Sequence, residues 1–288
     1  MPATQAFSAP ITAVPPISIR PLSPAIGVEV VGVDLAQPLD DAHFAAIRRA
    51  WEENCVLLFR GQSLDDDAQL RFATRFGTPA LVNRAGAVLY ISNIRENGKL
   101  IGALPDGEMH FHSDQCYVER PAMATMLYAM EIPSQGGNTL FANGFRAYEA
   151  LPDALKKKLA GKRAVNAFDH NGSYGGSATL RSTLAPGAKQ YAHPVFRTHP
   201  ATGRKALYVN RLMTQRILDL PDDESRQILS DLFEHQENLT FVYEHVWTVG
   251  DLILWDNRSC LHARTDFSAA ERRKLRRVTV QGETPFEA

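Results

Sequence analysis

The sequence predicts a mostly β fold with flanking helices, an α+β arrangement organised as a sandwich or barrel. Three observations predict it. Seven short apolar runs, VLYISNI, ATMLYAMEI, NTLFANG, ALYVN, LTFVYEHVW, DLILWD and RRVTVQG, follow one another from residue 88 to residue 282, broken by Gly, Pro, Asn and Asp. Many short strands between turn signals are the pattern of packed sheets. Helical periodicity is confined to a few stretches, and no repeat of solenoid or propeller length occurs. With 288 residues, 44% of them hydrophobic, the chain is long enough for one sizeable core.

The first 17 residues hold four prolines and lack a basic stretch followed by an apolar one, so they predict a flexible arm and no secretory signal. Residues 18–35 alternate apolar residues with Pro and Gly and predict short strands. Residues 39–53 predict a helix, capped by Asp40 or Asp41, with Phe44, Ile47 and Trp51 on one stripe. Val56–Phe59 predicts a buried strand ended by Arg60-Gly61. A second helix is expected over 64–76, with Asp65 to Asp67 at its positive end and Gly77 as its stop. Further helices are expected at 145–160 and 222–236. The Gly- and Ser-rich segment 166–192 predicts a long loop, a candidate lid. No composition shift marks a boundary, so residues 18–288 are expected to form a single domain.

Charge narrows the function. With 31 Lys and Arg against 32 Asp and Glu, the net charge is −1, which argues against nucleic-acid binding. No apolar run approaches the ~18 residues of a membrane span. Three scattered cysteines make no disulfide framework and point to a reducing compartment, hence the cytoplasm.

Two places carry chemistry. His112-Ser113-Asp114 would set an imidazole and a carboxylate side by side if it were a strand, because residues i and i+2 share a face. An apolar strand from Asp251 ends in a polar turn before His262. Two His and one carboxylate are the ligand set that holds Fe(II) on one face and leaves three positions open. Each His alone reads equally as a hydrogen-bonded core or surface residue. Zn(II) and water activation for hydrolysis is a second metal reading. If 273–281 is a strand, Arg273, Leu275, Arg277 and Thr279 share one face, and the guanidiniums could clamp anions. The competing reading is a solvated basic helix over 269–277.

At these residues the chain resembles the taurine dioxygenase/2,4-D dioxygenase (TauD/TfdA) family of Fe(II)- and 2-oxoglutarate-dependent oxygenases. The blocks Gly27–Leu35, Val56–Gln62, Phe72–Gly77, His112–Asp114, Gly136–Phe141, Arg197–Asn210 and Trp255–His262 carry the resemblance in order. It implies a double-stranded β-helix, a cupin-like jelly roll. It implies His112, Asp114 and His262 as iron ligands, with 2-oxoglutarate and O2 as cosubstrates. It also implies that Thr139 and Arg273 hold the far carboxylate of 2-oxoglutarate and that Arg277 binds an anionic group on the primary substrate. Trp255 is placed near the iron. The implied product set is succinate, CO2 and a hydroxylated small organic anion, a sulfonate or carboxylate, with C–S or C–O cleavage where the hydroxylated carbon bears sulfur or oxygen. Desaturation or cyclisation is an alternative outcome. A homo-oligomer, dimer or tetramer, is implied by analogy.

The chain departs from the family at informative points. Phe111 stands for the usual Trp and Asn138 for the usual Asp. Residues 78–84 lack the histidine that taurine dioxygenase uses on its substrate. Glu108, if it faced the pocket, would favour a cationic or hydrogen-bond-donating group; otherwise it is a solvated loop residue. The segment Asn210–Met213, with Met213 as a candidate substrate contact, is its own. Taurine itself is therefore put in doubt.

Overall fold

A computed structural model describes residues 17–82, 86–105, 107–168, 184 and 186–288. The expected N-terminal arm, apart from residue 17, and most of the expected lid lie outside the described residues. The chain folds mainly into two sheets. The larger has seven strands in the spatial order Ser18–Pro21, Val28–Val31, Val56–Phe59, Leu252–Asp256, Ala122–Glu131, Lys274–Gln281, Val88–Ser92. The smaller has four: Val242–His245, Thr139–Asn143, Cys260–Arg264, Met109–His112. All pairings in both are antiparallel except Val28–Val31 with Val56–Phe59. This is the two-sheet jelly roll of the sequence expectation.

The period of two in a strand sends alternate side chains to opposite faces. Leu57, Phe59, Met126, Tyr128, Leu252, Leu254, Val278 and Val280 form one buried cluster on the outer face of the large sheet, under two helices. Val56, Leu58, Leu127, Ala129, Ile253, Trp255 and Leu275 point the other way. They pack with Phe141 and Cys260 of the small sheet. The central strands are thus apolar on both faces, which explains why DLILWD and ATMLYAMEI read as near-continuous apolar runs. A third buried cluster joins the hairpin Phe196–Thr198/Lys205–Leu207 to the helix Asp222–Gln236.

The two outer helices are Asp41–Asn54 and Asp66–Thr74. Their caps are those the sequence offers: Asp40 accepts from His43 N, and Asp65 from Ala68 N. The second helix stops three residues before Gly77, its last turn closing through hydrogen bonds from Arg75 N and Phe76 N. The expected helix at 145–160 is two helices, Gly144–Glu149 and Asp153–Leu159. Pro152 divides them, because it has no N–H to donate and holds the backbone before it out of the helical region. Asp222–Gln236 is one helix, as expected.

Three other expectations change in detail. LTFVYEHVW splits into a 3-10 turn at Leu239–Phe241 and the strand Val242–His245. ALYVN contributes only its first two residues to a strand, Lys205–Leu207. Both ends of the expected 166–192 loop are strand: Arg163–Phe168 pairs antiparallel with Lys189–Pro194. All three cysteines are free and buried. No helix among the described residues is long and apolar enough to cross a membrane.

Candidate metal and cosubstrate site

His112 closes the strand Met109–His112, and His262 is the middle residue of Cys260–Arg264. The two are direct antiparallel partners, and their rings lie 4.0 Å apart between centroids. Asp114 arrives differently from the sequence expectation. The strand ends at His112, so Asp114 sits in a turn and not two residues along a strand. That turn is pinned from below: Ser113 Oγ donates to Asn257 O at 2.9 Å and Asp114 N to Asn257 Oδ1 at 3.3 Å. One donor atom from each of His112, Asp114 and His262 then lies within 4.8 Å of the others. This is a group that could hold one metal ion.

The electrostatics suit a cation. Burial holds both imidazoles below the usual histidine range, His262 far below it because His112 adds to the effect. They are neutral at pH 7, with lone pairs to offer. Burial alone would raise the Asp114 carboxyl. The charge of Arg277, with the Thr125 hydroxyl, overcomes it and keeps the group ionised. His112 Nδ1 is 2.9 Å from His110 O, which makes that nitrogen the protonated one and leaves Nε2 free for a metal. His110 thus serves through its backbone. His262 is held by ring packing, against His112 and against Trp255 at 4.6 Å.

Beside these donors is a cavity of about 290 Å³. Thr139 and Arg273 line one part of it. Arg273 is 1% exposed, and its Nε and Nη2 donate to Gly137 O at 3.2 and 3.0 Å. Its Nη1 is buried with no partner among the described residues. Burial, and then the charge of Arg264, push this guanidinium down to about 9. A buried cation with one unmet donor fits a carboxylate arriving from the cavity. Gly136 and Gly137 allow the arrangement. Both have positive φ, and a Cβ on Gly136 would stand 2.2 Å from Asp266 O. Thr139 Oγ1 accepts from Trp247 Nε1 at 3.1 Å. An indole N–H can only donate, so the Thr139 proton remains available to an acceptor in the cavity.

The remaining expected residues divide. Arg277 lines the cavity but also reaches Asp114, with Nη2 2.9 Å from Oδ1; its Nε donates to Thr279 Oγ1 at 3.1 Å. Met213 lines the cavity and is buried, its sulfur 3.4 Å from Cys116 Sγ. Glu108 is exposed and absent from the lining, which matches the solvated-loop alternative. Sequence reasoning did not single out Thr125, Asn257, Trp247 or Arg264. Asn257 lay inside a quoted block, and Arg264 two residues past a ligand on its strand face. Thr125 and Trp247 carried no signal.

A family model described as taurine catabolism dioxygenase TauD, TfdA family, matches residues 18–279. The chain belongs to the TauD/TfdA family. It is 35% identical to pentalenolactone F synthase of Streptomyces avermitilis, over 91% of this chain and 93% of that protein. It is 34% identical to the alpha-ketoglutarate-dependent 2,4-dichlorophenoxyacetate dioxygenase of Cupriavidus pinatubonensis, over 90% of this chain and 96% of that one. The crystal structure of AAD-2 in complex with Mn(II) and N-oxalylglycine matches at TM-score 0.82 and 30% identity, over 95% of this chain and 99% of that one. As a TauD/TfdA member, the chain is a non-haem iron dioxygenase that uses Fe(II), 2-oxoglutarate and O2. The hydrolytic zinc reading is set aside.

Proposed function

We propose that this enzyme couples 2-oxoglutarate decarboxylation to oxidation of a small organic anion with an apolar body. His112 and His262, neutral, and Asp114, ionised, would hold the iron. Arg273, through its unmet Nη1, and Thr139, through its hydroxyl proton, would take the far carboxylate of 2-oxoglutarate. The bound iron and cosubstrate supply the oxidising chemistry, in which O2 and 2-oxoglutarate give succinate and CO2 while one substrate carbon is oxidised. The observation that carries the reading is the meeting, in one cavity, of a three-donor group with a buried, half-partnered arginine. A hydrolytic site would have no use for the second part.

The rest of the cavity bears on the substrate. Arg277 supplies a cation beside the donors and would bind the anionic head. Leu89, Ile91, Leu127, Phe168, Leu212 and Met213 supply an apolar wall. Asp114 is the sole carboxylate among the described lining residues, and Glu108 lies outside. An ammonium group on the substrate would thus find no carboxylate besides the metal ligand among those residues, which counts against taurine. Similarity to a protein named for 2,4-dichlorophenoxyacetate supports an aryloxy or related acid. Oxidation at a carbon bonded to oxygen would then end in C–O cleavage. Similarity to a protein named as a synthase supports a second reading, a ring-forming or desaturating outcome on the same machinery.

The test is oxygen-dependent succinate formation with Fe(II), 2-oxoglutarate and a panel of aryloxyacetates, alkyl sulfonates, sulfate esters and taurine. The expected result is turnover of an apolar-bodied acid and little with taurine. Arg277→Ala should raise the KM for that acid while sparing substrate-independent 2-oxoglutarate decay. An unchanged KM in that variant, or preference for taurine, would contradict the assignment.

A further inference from the structure

Asp114 is gripped from behind by a chain of hydrogen bonds whose donor sense can be deduced atom by atom. Trp255 Nε1, at 3.0 Å, and Asp114 N, at 3.3 Å, both contact Asn257 Oδ1. An indole N–H and a backbone N–H can only donate, so this atom is the acceptor and the amide has one orientation. Asn257 Nδ2 therefore donates to Thr125 Oγ1, 3.0 Å away. The Thr125 hydroxyl, already an acceptor, has a single proton, and it points to Asp114 Oδ2 at 2.6 Å. Thr125, Trp255 and Asn257 are all buried. Thr125 and Trp255 are register partners on adjacent inner strands of the large sheet, so the chain is anchored in the middle of that sheet. The neighbouring Asp256 and Arg258 bond each other, and Asp256 bonds His199, taking no part.

We propose that Thr125 and Asn257 are positioning residues that cap Asp114 Oδ2 with a donated hydrogen bond, so that only Oδ1 is offered to a metal ion. Oδ1 is the oxygen turned toward His262 Nε2, at 3.9 Å; Arg277 Nη2, 2.9 Å away, also donates to it, which leaves it a lone pair for a metal. A carboxylate bound through both oxygens would fill two of six positions. Held to one oxygen, it leaves three for cosubstrate and O2. The inference rests on the reading of Asp114 as a ligand, and the experiment separates the two.

The experiment is Mn(II) binding to the full chain, read by the electron paramagnetic resonance of free Mn(II), with thermal unfolding of each variant alongside. Thr125→Val keeps the shape and removes the donor, and should weaken Mn(II) by about 10- to 100-fold. Thr125→Ser restores a hydroxyl and should recover most of that loss. Asn257→Asp replaces the Nδ2 donor with an acceptor, which competes for the Thr125 proton; it should weaken Mn(II) in the same direction. If Asp114→Ala binds Mn(II) as the parent does, the ligand set itself fails. If Asp114→Ala loses Mn(II) while Thr125→Val and Asn257→Asp keep parental affinity, the ligand set stands and the positioning role is overturned. Should Thr125→Val not fold, Asn257→Asp against Thr125→Ser decides the same question.

Discussion

Arg276 and Arg273 are three residues apart, both almost wholly buried, and they do opposite things. Arg276 points to the helix-covered face of the large sheet. There its guanidinium is fully engaged: Nε to Gln69 Oε1 at 2.7 Å, Nη1 to Asp66 Oδ1 at 2.8 Å and Nη2 to Leu64 O at 2.7 Å. Arg273 points to the cavity, donates to Gly137 O, lies over the Phe267 ring, and has Nη1 unmet among the described residues. One arginine fastens a helix to a sheet. The other keeps an incompletely compensated charge in the interior, which makes sense only if something anionic comes to it. The comparison teaches that burial of an arginine says little; Arg273 is set apart by an unmet donor on a side chain that lines the cavity.

Substitution of each should therefore split function from stability. Arg273→Met is expected to weaken 2-oxoglutarate by at least about 30-fold, the effect of truncating one partner of a buried charged pair. Without cosubstrate its thermal midpoint should stay level or rise, because an apolar side chain replaces a costly charge. Isothermal titration and a melting curve check both halves. A lower midpoint with unchanged affinity would put Arg273 in the same structural role as Arg276.

Arg276→Met should do the reverse. It strands Gln69 and the Leu64 carbonyl, for a loss of about 2–5 kcal/mol in urea unfolding, and leaves the cosubstrate affinity of the folded protein as it was. Cosubstrate affinity that fell with it would show the two faces to be coupled.

Acid should also destabilise the fold through its buried histidines, two of which line the cavity. Burial holds His112 and His262 below the usual histidine range and pushes His193 down to about 4. Below pH 6.5 the unfolded chain binds protons that these folded-state imidazoles refuse, so stability falls as the pH drops. His193 alone contributes roughly 1.4 kcal/mol per pH unit between 6.5 and 4. Metal ligation should deepen the slope, since the ligand imidazoles must be neutral to bind. Urea midpoints at pH 7.5 and 5.5, with and without Mn(II), check this; equal midpoints would contradict it.

The smallest expected effect is at Trp247. Trp247→Phe removes the donor to Thr139, frees that hydroxyl to rotate, and should weaken 2-oxoglutarate by about 2- to 10-fold. An unchanged affinity would mean that the Thr139 proton is aimed by something else.

Much of this was legible in the sequence. The large sheet's central strands announced themselves because they bury both faces. Strand parity put Arg273 and Arg277 on one face only if 273–281 was a strand, and the family resemblance gave them their roles; the strand begins one residue later, at Lys274. The ligands stood out as His and Asp in spaced blocks. Asp114 was reached for the wrong local reason, since a turn and not strand parity brings it to the histidines. That turn depends on Asn257, a contact 143 residues away in sequence. Thr125 and Trp247 could not be picked out, because each is an ordinary strand or loop residue until the fold sets its one polar atom against a ligand or a clamp. Glu108 was ambiguous because its side depends on a loop path that no periodicity reports.

The most direct test of the central claim is the anaerobic visible absorption of the protein with Fe(II), titrated with 2-oxoglutarate. The account predicts a weak metal-to-ligand band in the parent, its absence in His262→Ala, and its appearance in Arg273→Met only at much higher 2-oxoglutarate. Iron bound at parental stoichiometry with no band on adding 2-oxoglutarate would contradict the assignment of this cavity as the shared metal and cosubstrate site.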